Sequence, residues 1–535
     1  MSARAWLVVV ALAGCQPRTA LEAPAGGTTP WLREGTSCMA CHDRIATLAG
    51  EDVSFGSLWQ ASIMANSARD PYWQAAVRRE VIDHAPVGAV IEDECARCHM
   101  PMGSERARAA GHRAEVFANL PGVRGADPLA IDGVACSLCH QITAARLGER
   151  ASFTGGFVIA ANAWPAIYGP YELPPAQTSL MRSTLGVLPV RGDHVRRSEL
   201  CATCHTLYTK TRDAQHREIG EFPEQVPYLE WLQSAYKDTQ SCQACHMPTV
   251  DVPTALTAVA GIPRDGLARH DFRGANFLTL GMLDRHRAEL GVAAPGPTLE
   301  AAMATTRTFL EHASARVAIA SPSRDGAALT ADIDVENLGG HKLPTAYPSR
   351  RVWLHVTVRD ATGAVRFESG KLLPTGAIDG NPNDLDPRRF EPHHAMIRAP
   401  GEVQIYEAIL GDPQGQVTTA LLSTSQYLKD NRLLPRGFVK ATASADTAVH
   451  GNALADPDFA DGRDRVRYAV DVGDAPGPLA IDVELMYQPV GYRWAHNLEP
   501  YAAAEPQRYV DYYDEMARAS AIVLARATQQ VPAGR

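Results

Sequence analysis

The run Cys-x-x-Cys-His occurs five times in this chain of 535 residues and limits its possible folds more than any other feature. The copies are Cys38-Cys41-His42, Cys95-Cys98-His99, Cys136-Cys139-His140, Cys201-Cys204-His205 and Cys242-Cys245-His246. The chain holds 11 cysteines and 18 histidines. Random placement at those frequencies would give roughly 0.01 copies of the run. Five copies therefore reflect a shared chemical requirement.

This spacing is the signature of c-type haem attachment. Two thiols separated by two residues can add to the two vinyl groups of one porphyrin, and the adjacent histidine reaches the iron as proximal ligand. The sequence thus predicts five covalently attached haems c. Zinc sites and disulfides are the alternatives for paired cysteines. Neither requires a histidine directly after the second cysteine.

The five motifs use ten cysteines, which leaves Cys15. An apolar run over residues 5–13 is too short to span a bilayer, and residues 1–14 read as a signal peptide. The segment 12–15 resembles a bacterial lipoprotein box, which implies cleavage before Cys15 and lipidation of its thiol, hence a membrane anchor. The alternative is ordinary cleavage that leaves Cys15 as a free thiol. Gln16 favours the outer membrane, and the predicted location is a periplasmic or outer-membrane lipoprotein.

Composition and periodicity divide the remaining chain into four segments. Residues 15–30 are rich in Pro, Gly, Ala and Thr and predict a flexible tether. Residues 31–315 contain every motif and predict a pentahaem domain, mainly helical and loop-rich. Residues 327–490 contain alternating apolar and polar residues, as expected for an antiparallel β-sandwich-like domain. Residues 506–528 predict a C-terminal helix, which makes the fold class α+β.

Individual elements can be predicted within these segments. Asp70 and Pro71 are suited to the N-cap and first residue of a helix. Pro297 can begin another helix. The alternation over 329–335, 352–358 and 481–485 predicts three strands.

Several strings near the motifs resemble the cytochrome c-554-like multihaem cytochromes. They are residues 133–136 before the third motif, residues 199–208 around the fourth, and His270-Asp271-Phe272-Arg273-Gly274. The resemblance covers a little over half of the chain. It implies closely stacked haems that relay electrons, mostly with two histidine ligands each. This chain differs in having five motifs instead of four, and in the added β-domain.

Four histidines outside the motifs are candidate distal ligands. The resemblance implies this role for His194, seven residues before Cys201, and for His270. His84 follows the helix that Pro71 begins, so it is suited either to ligation or to capping that helix. His341 lies in a turn that enters the β-domain, and from there it can reach a haem and join the two domains.

Two functions from different classes fit these features. The first is electron relay between redox proteins, or to an electron acceptor outside the cytoplasm, with every haem six-coordinate. The second is catalysis at one five-coordinate haem, acting on a hydroxylamine- or nitrite-type nitrogen compound or on a sulfur compound. No motif has lysine in place of histidine, and no acid–base cluster stands out near the motifs. We expect an electron carrier. A third hypothesis is a binding protein in which the haems only stabilise the fold. The net charge of −9 argues against nucleic acid as a partner.

Overall fold

The structure is a computed structural model that describes residues 31–160 and 164–533. The predicted signal peptide over 1–14, the tether over 15–30 and the lipidation site Cys15 lie outside the described residues. They stay predictions.

Fourteen α-helices lie in the described chain between residues 31 and 313. They are α1 (Thr36–His42), α2 (Phe55–Gln60), α3 (Pro71–Asp83), α4 (Gly88–His99), α5 (Pro101–Ala109), α6 (Pro128–Ile131), α7 (Cys136–Cys139), α8 (Pro175–Leu185), α9 (Ser198–His205), α10 (Pro227–Leu232), α11 (Cys242–His246), α12 (Phe277–Arg285), α13 (Arg287–Leu290) and α14 (Gly296–Ala313). Three helices follow, namely α15 (Pro382–Leu385), α16 (Tyr492–His496) and α17 (Ala504–Met516).

The two helix starts read from the sequence are confirmed. The Asp70 carboxylate accepts hydrogen bonds from the backbone N–H groups of Tyr72 and Trp73, at 2.9 and 3.4 Å, and Pro71 is the first residue of α3. This satisfies donors that have no partner within the first helical turn. Pro297 lies in the first turn of α14.

The described chain contains 17 strands, 11 of them after residue 314. They are β1 (Ala166–Gly169), β2 (Leu188–Arg191), β3 (Leu207–Arg212), β4 (Glu218–Gln225), β5 (Thr254–Ala255), β6 (Pro263–Arg264), β7 (Ala315–Asp325), β8 (Ala328–Asn337), β9 (Arg351–Arg359), β10 (Val365–Ser369), β11 (Met396–Ile397), β12 (Ile405–Gly411), β13 (Val417–Thr418), β14 (Gln426–Asp430), β15 (Arg463–Asp471), β16 (Leu479–Gln488) and β17 (Ile522–Val531). The three strands predicted from alternation are β8, β9 and β16.

Two sheets form the strand-rich half. One is seven-stranded, with the order β13-β12-β9-β16-β17, while β10 pairs with β9 and β14 with β12. The other has the order β11-β15-β8-β7. The pairs β9–β16 and β8–β15 are antiparallel, with Val356 opposite Val483 and Ile333 opposite Val466. The predicted α+β class is confirmed, although the strands extend beyond the predicted limits of 327 and 490, from Ala315 to Val531.

The largest apolar core lies between these two sheets and the helices that cover them. It contains Ile333 and Val466 from one sheet and Val356 and Val483 from the other. Helices α3, α12, α14 and α17 add side chains to the same cluster. The motif helices contribute none of their residues to it. Four smaller clusters lie near the motifs instead.

The predicted C-terminal helix over 506–528 is wrong in its second half. Helix α17 ends at Met516, and β17 begins at Ile522. Leu524 continues the helical spacing of Val510 and Tyr513, which misled the prediction. Pairing with β16 decides the conformation instead, since Leu485 lies opposite Ala525 along an antiparallel ladder. Tertiary pairing overrides a local pattern in such cases.

None of the helices in the described ranges is both long and apolar enough to cross a bilayer.

Candidate functional site

Each Cys-x-x-Cys-His motif lies on a short helix or at its end. Helices α1, α4, α9 and α11 end at the motif histidine, and the histidine of the third motif directly follows α7. Positions i, i+3 and i+4 share one face of a helix. The two thiols and the imidazole of each motif therefore project to the same side, as one porphyrin requires.

Backbone carbonyls orient four of the five motif imidazoles. The Nδ1 of His42 bonds to the carbonyl of Leu256 at 2.8 Å, and the Nδ1 of His140 to that of Tyr168 at 2.6 Å. Two further pairs are His99 with Ser67, at 3.3 Å, and His246 with Arg273. When Nδ1 donates to a carbonyl, Nε2 keeps a lone pair that faces away, which is the arrangement of metal-binding histidines. These carbonyls are remote in sequence, so no local signal could have identified them.

The motif imidazoles are held neutral, the form that binds iron. Burial lowers the pKa of all five, to about 4 at His99 and His246. Protonated imidazolium has no free lone pair for a metal. The five motif imidazoles are therefore able to bind a haem iron at neutral pH.

Cysteines of different motifs meet in pairs. Hydrogen bonding to the Cys136 thiol lowers the pKa of Cys38, and hydrogen bonding to the Cys98 thiol lowers that of Cys204. In the same way, Cys201 lowers the pKa of Cys242, to about 7. The first motif thus adjoins the third, the second adjoins the fourth, and the fourth adjoins the fifth.

A further contact completes this set. Cys139 of the third motif and Cys204 of the fourth pack against the same apolar cluster. All five motifs are therefore contiguous, and the fourth motif has three neighbours. The sequence order does not reveal this arrangement, because the first motif adjoins the third and the second adjoins the fourth.

Two of the candidate distal histidines face motif histidines. The rings of His140 and His270 have centroids 6.3 Å apart and planes 14° apart. The rings of His246 and His341 have centroids 6.2 Å apart and planes 12° apart. Two imidazoles bound to opposite sides of one metal ion, each about 2 Å from it, have centroids about 6 Å apart. The geometry of both pairs fits that arrangement.

The outer nitrogens of these two distal rings are also fixed. The Nδ1 of His270 bonds to the carbonyl of Ala268 at 3.0 Å, and that of His341 to the carbonyl of Lys342, also at 3.0 Å. Burial lowers the pKa of His270 to about 4. Because the Nδ1 of each of the four rings bonds to a backbone carbonyl, each ring has its Nε2 available.

The other two candidates make other contacts. The Nε2 of His194 bonds to the carbonyl of Ile142 at 2.8 Å, and its ring meets that of Tyr168 edge-on. The role of His194 as a distal ligand stays a prediction. His84 places its Nδ1 3.1 Å from the Nδ1 of His216. The Nε2 of His84 is buried, without a hydrogen-bond partner, and 3.9 Å from Glu80. His216 was not identified from the sequence, because its only link to His84 is across 132 residues.

The zinc and disulfide alternatives find no support in the described part of the chain. Its ten cysteines are free thiols. The one group of three converging metal-ligand side chains there is His393, Asp456 and Asp464, within 4.8 Å and without a cysteine. The side-chain amides of Gln404 and Asn431 donate to the His393 Nδ1, at 2.8 and 3.1 Å. Its proton therefore lies on Nε2, 3.1 Å from Asp456, and this nitrogen has no lone pair for a metal.

Comparison with known proteins shows a likeness in structure alone. No protein-family model matches the sequence, and no curated protein matches it. The structure is similar to a penta-heme cytochrome c552 from Thermochromatium tepidum, with a TM-score of 0.53 and 14% sequence identity. The match covers 93% of this chain and 98% of that one. At this identity the likeness shows a shared fold, and the resemblance to the c-554-like family stays a prediction.

Proposed function

We propose that this chain is a pentahaem cytochrome c that relays electrons between redox partners. The observation that carries the proposal is the contiguity of the five motifs, together with two histidine pairs at the spacing of axial ligands. Bound haem would supply a one-electron iron couple. The shared fold with a penta-heme cytochrome supports the same reading.

The residues of this chain would hold each haem in a defined way. The two cysteines of a motif attach the porphyrin, and the motif histidine binds the iron through Nε2. His270 would complete the site of the third motif, and His341 that of the fifth. The carbonyls that accept from Nδ1 keep each ring from rotating and raise its basicity as a ligand.

Location and partners complete the proposal. Covalent haem attachment takes place outside the cytoplasm, which agrees with the predicted signal peptide and with lipidation at Cys15. We infer a periplasmic or outer-membrane lipoprotein whose partners are redox proteins or an electron acceptor outside the cytoplasm. The net charge of −9 favours basic partner surfaces over nucleic acid.

Metal analysis and low-temperature EPR of the intact holoprotein test this proposal. We expect about five irons per chain. The near-parallel imidazoles of the two pairs remove the degeneracy of the iron d orbitals, so at least two haems should give rhombic low-spin signals. Zinc in place of iron would refute the haem assignment.

The substitution His270→Ala isolates one ligand. We expect about one-fifth of the haem to become high-spin, because one iron loses its sixth ligand. Added imidazole should restore the low-spin signal. His312→Ala is the matched control, since His312 is exposed and its Nδ1 bonds only to Thr308 of its own helix. An unchanged spectrum in His270→Ala would remove His270 from the ligand set.

Catalysis at an open haem is the second candidate. One observation favours it: among residues 31–160 and 164–533, His42, His99 and His205 have no facing histidine like those of the other two motifs. EPR again separates the two functions. A high-spin signal in the unmodified protein that shifts with nitrite or hydroxylamine would support an enzyme, and wholly low-spin signals would support a carrier.

A further inference from the structure

Four charged side chains form a buried cluster next to His341. We call Glu230, Lys342, Asp430 and Arg432 the ion cluster. Their side chains are between 0 and 4% exposed. The Lys342 Nζ lies 2.6 Å from Asp430, and Arg432 makes two contacts of 2.8 Å with the same carboxylate. Arg432 also lies 3.1 Å from Glu230.

The ion cluster joins two parts of the molecule. Glu230 belongs to α10, between the fourth and fifth motifs. Asp430 ends β14 of the seven-stranded sheet, and Arg432 follows it. Lys342 directly follows His341, whose ring faces that of His246. The cluster therefore spans the motif helices, the sheet and the loop that carries the distal histidine.

Directed hydrogen bonds hold this loop from the carbonyl of His341 onward. One Glu230 oxygen accepts from the Lys342 backbone N–H at 3.1 Å and from the Thr345 hydroxyl at 2.5 Å. The side-chain amide of Asn337 donates to the His341 carbonyl at 2.8 Å. The backbone of His341 thus has little freedom to move relative to α10.

Stability alone does not account for this arrangement. Moving four charges out of water is costly, and well-packed apolar residues often replace buried ion pairs with no loss of stability. Apolar packing is not directional, however, and does not fix the orientation of a loop. Charged hydrogen bonds do so, because their geometry is narrow and they are the stronger class.

We propose that the ion cluster positions His341 opposite His246, so that the strand-rich half supplies one axial ligand of the fifth haem in a fixed orientation. This inference rests on the proposed haem function. Glu230 and Lys342 would be positioning residues in it, because they act through the loop that carries His341.

Three substitutions test the role of the cluster in the intact holoprotein. Glu230→Ala removes both loop anchors, Glu230→Gln keeps an oxygen acceptor, and Lys342→Met removes the ammonium group while Asp430 keeps Arg432. In Glu230→Ala we expect about one-fifth of the haem to become high-spin or mixed-spin, reversed by added imidazole. Glu230→Gln should restore most of the low-spin signal. Lys342→Met should broaden that signal and shift the midpoint potential of one haem.

Glu407→Ala is the matched control. Glu407 forms another buried ion pair with Lys429 of the same strand β14, at 3.0 Å, with side-chain exposures of 8 and 2%. The substitution Glu407→Ala should lower the melting temperature of the protein and leave the haem spectrum unchanged. If it altered the spectrum as Glu230→Ala does, general destabilisation would be the cause and the positioning role would be refuted.

His341→Ala separates the two proposals. If it leaves every haem low-spin, the ligand assignment fails. If it produces the high-spin haem while Glu230→Ala and Lys342→Met keep native spectra and potentials, the positioning role alone is overturned. Should Glu230→Ala fail to fold, Lys342→Met decides the question, because its remaining charges stay paired.

Discussion

The motif-bearing half (residues 31–313) and the strand-rich half (residues 315–533) bury their apolar residues differently. In the strand-rich half, Trp353, Tyr406 and Tyr487 are fully buried. One large core holds Tyr406 and Tyr487, and Trp353 belongs to a separate, smaller cluster. Near the motifs, the buried apolar residues form four small clusters, and neither α1 nor α11 contains a fully buried residue. Apolar burial can drive the folding of the strand-rich half, whereas the motif-bearing half would depend on the haems that we propose its motifs bind.

Removing the cofactor should have the largest effect on this contrast. If both cysteines of each motif are replaced by serine, we expect peptides around the five motifs to lose protection from hydrogen exchange, by orders of magnitude. Peptides from β8, β9 and β16 should stay protected, because the core between the sheets needs no haem. Hydrogen-exchange mass spectrometry measures both. Equal loss of protection in the two halves would contradict the contrast and show a single folding unit.

A large-to-small substitution in the strand-rich half should have the next largest effect. Trp353 is fully buried and its Nε1 donates to the Gly370 carbonyl at 2.8 Å. Trp353→Ala should lower the free energy of unfolding by about 3–5 kcal/mol, through lost burial and the cavity left behind. The haem absorption spectrum should not change below the unfolding transition. Leu385→Ala is the control, since Leu385 is 82% exposed and should shift stability by no more than about 0.5 kcal/mol.

The stability of the strand-rich half should also depend on pH, through one buried carboxyl group. Burial raises the pKa of Asp464 to about 7 from an ordinary value of 3.8. The folded protein therefore keeps a proton that the unfolded chain releases near pH 4. The stability from this group is full below pH 4 or so and is lost as pH rises through about 7.

Asp464→Asn isolates this contribution, because the amide stays neutral at every pH. Relative to this variant, the unmodified protein should lose on the order of a few kcal/mol of stability between about pH 4 and pH 7. Chemical denaturation at several pH values, followed by tryptophan fluorescence, measures the difference. Burial lowers the pKa of the neighbouring His393 to about 4, which gives the opposite slope, but His393 is present in both proteins. A constant difference across this range would show that Asp464 is ionised in the fold.

Much of this structure could be predicted from short stretches of the sequence. The helix start at Asp70, the alternation in β8, β9 and β16, and the motif spacing each depend on a few adjacent residues. The outcome that differed depends on a distant partner. Strand β17, in place of the second half of the predicted helix, exists because β16 pairs with it.

The candidate site was predictable to the same extent. The spacing of each motif specifies the proximal histidine, and a short string marked His270. The partner of each distal histidine, the neighbours of each motif and the ion cluster around Glu230 all arise from contacts across tens to hundreds of residues. Such contacts produce no periodicity or residue spacing in the sequence from which they could be predicted.

The end of the chain completes both halves at once. Helix α17 contacts α3 through the Arg78–Glu505 ion pair at 2.8 Å and the Tyr72–Tyr509 contact, and β17 borders β16 in the large sheet. If the chain is exported with its N-terminus first, as the predicted signal peptide implies, residues 31–313 leave the cytoplasm before residues 504–531. Helix α3 then waits for its partner until export is almost finished. During that interval the thiols of the first motifs would be open to the enzymes that attach haem, so haem attachment could precede the final packing of the chain.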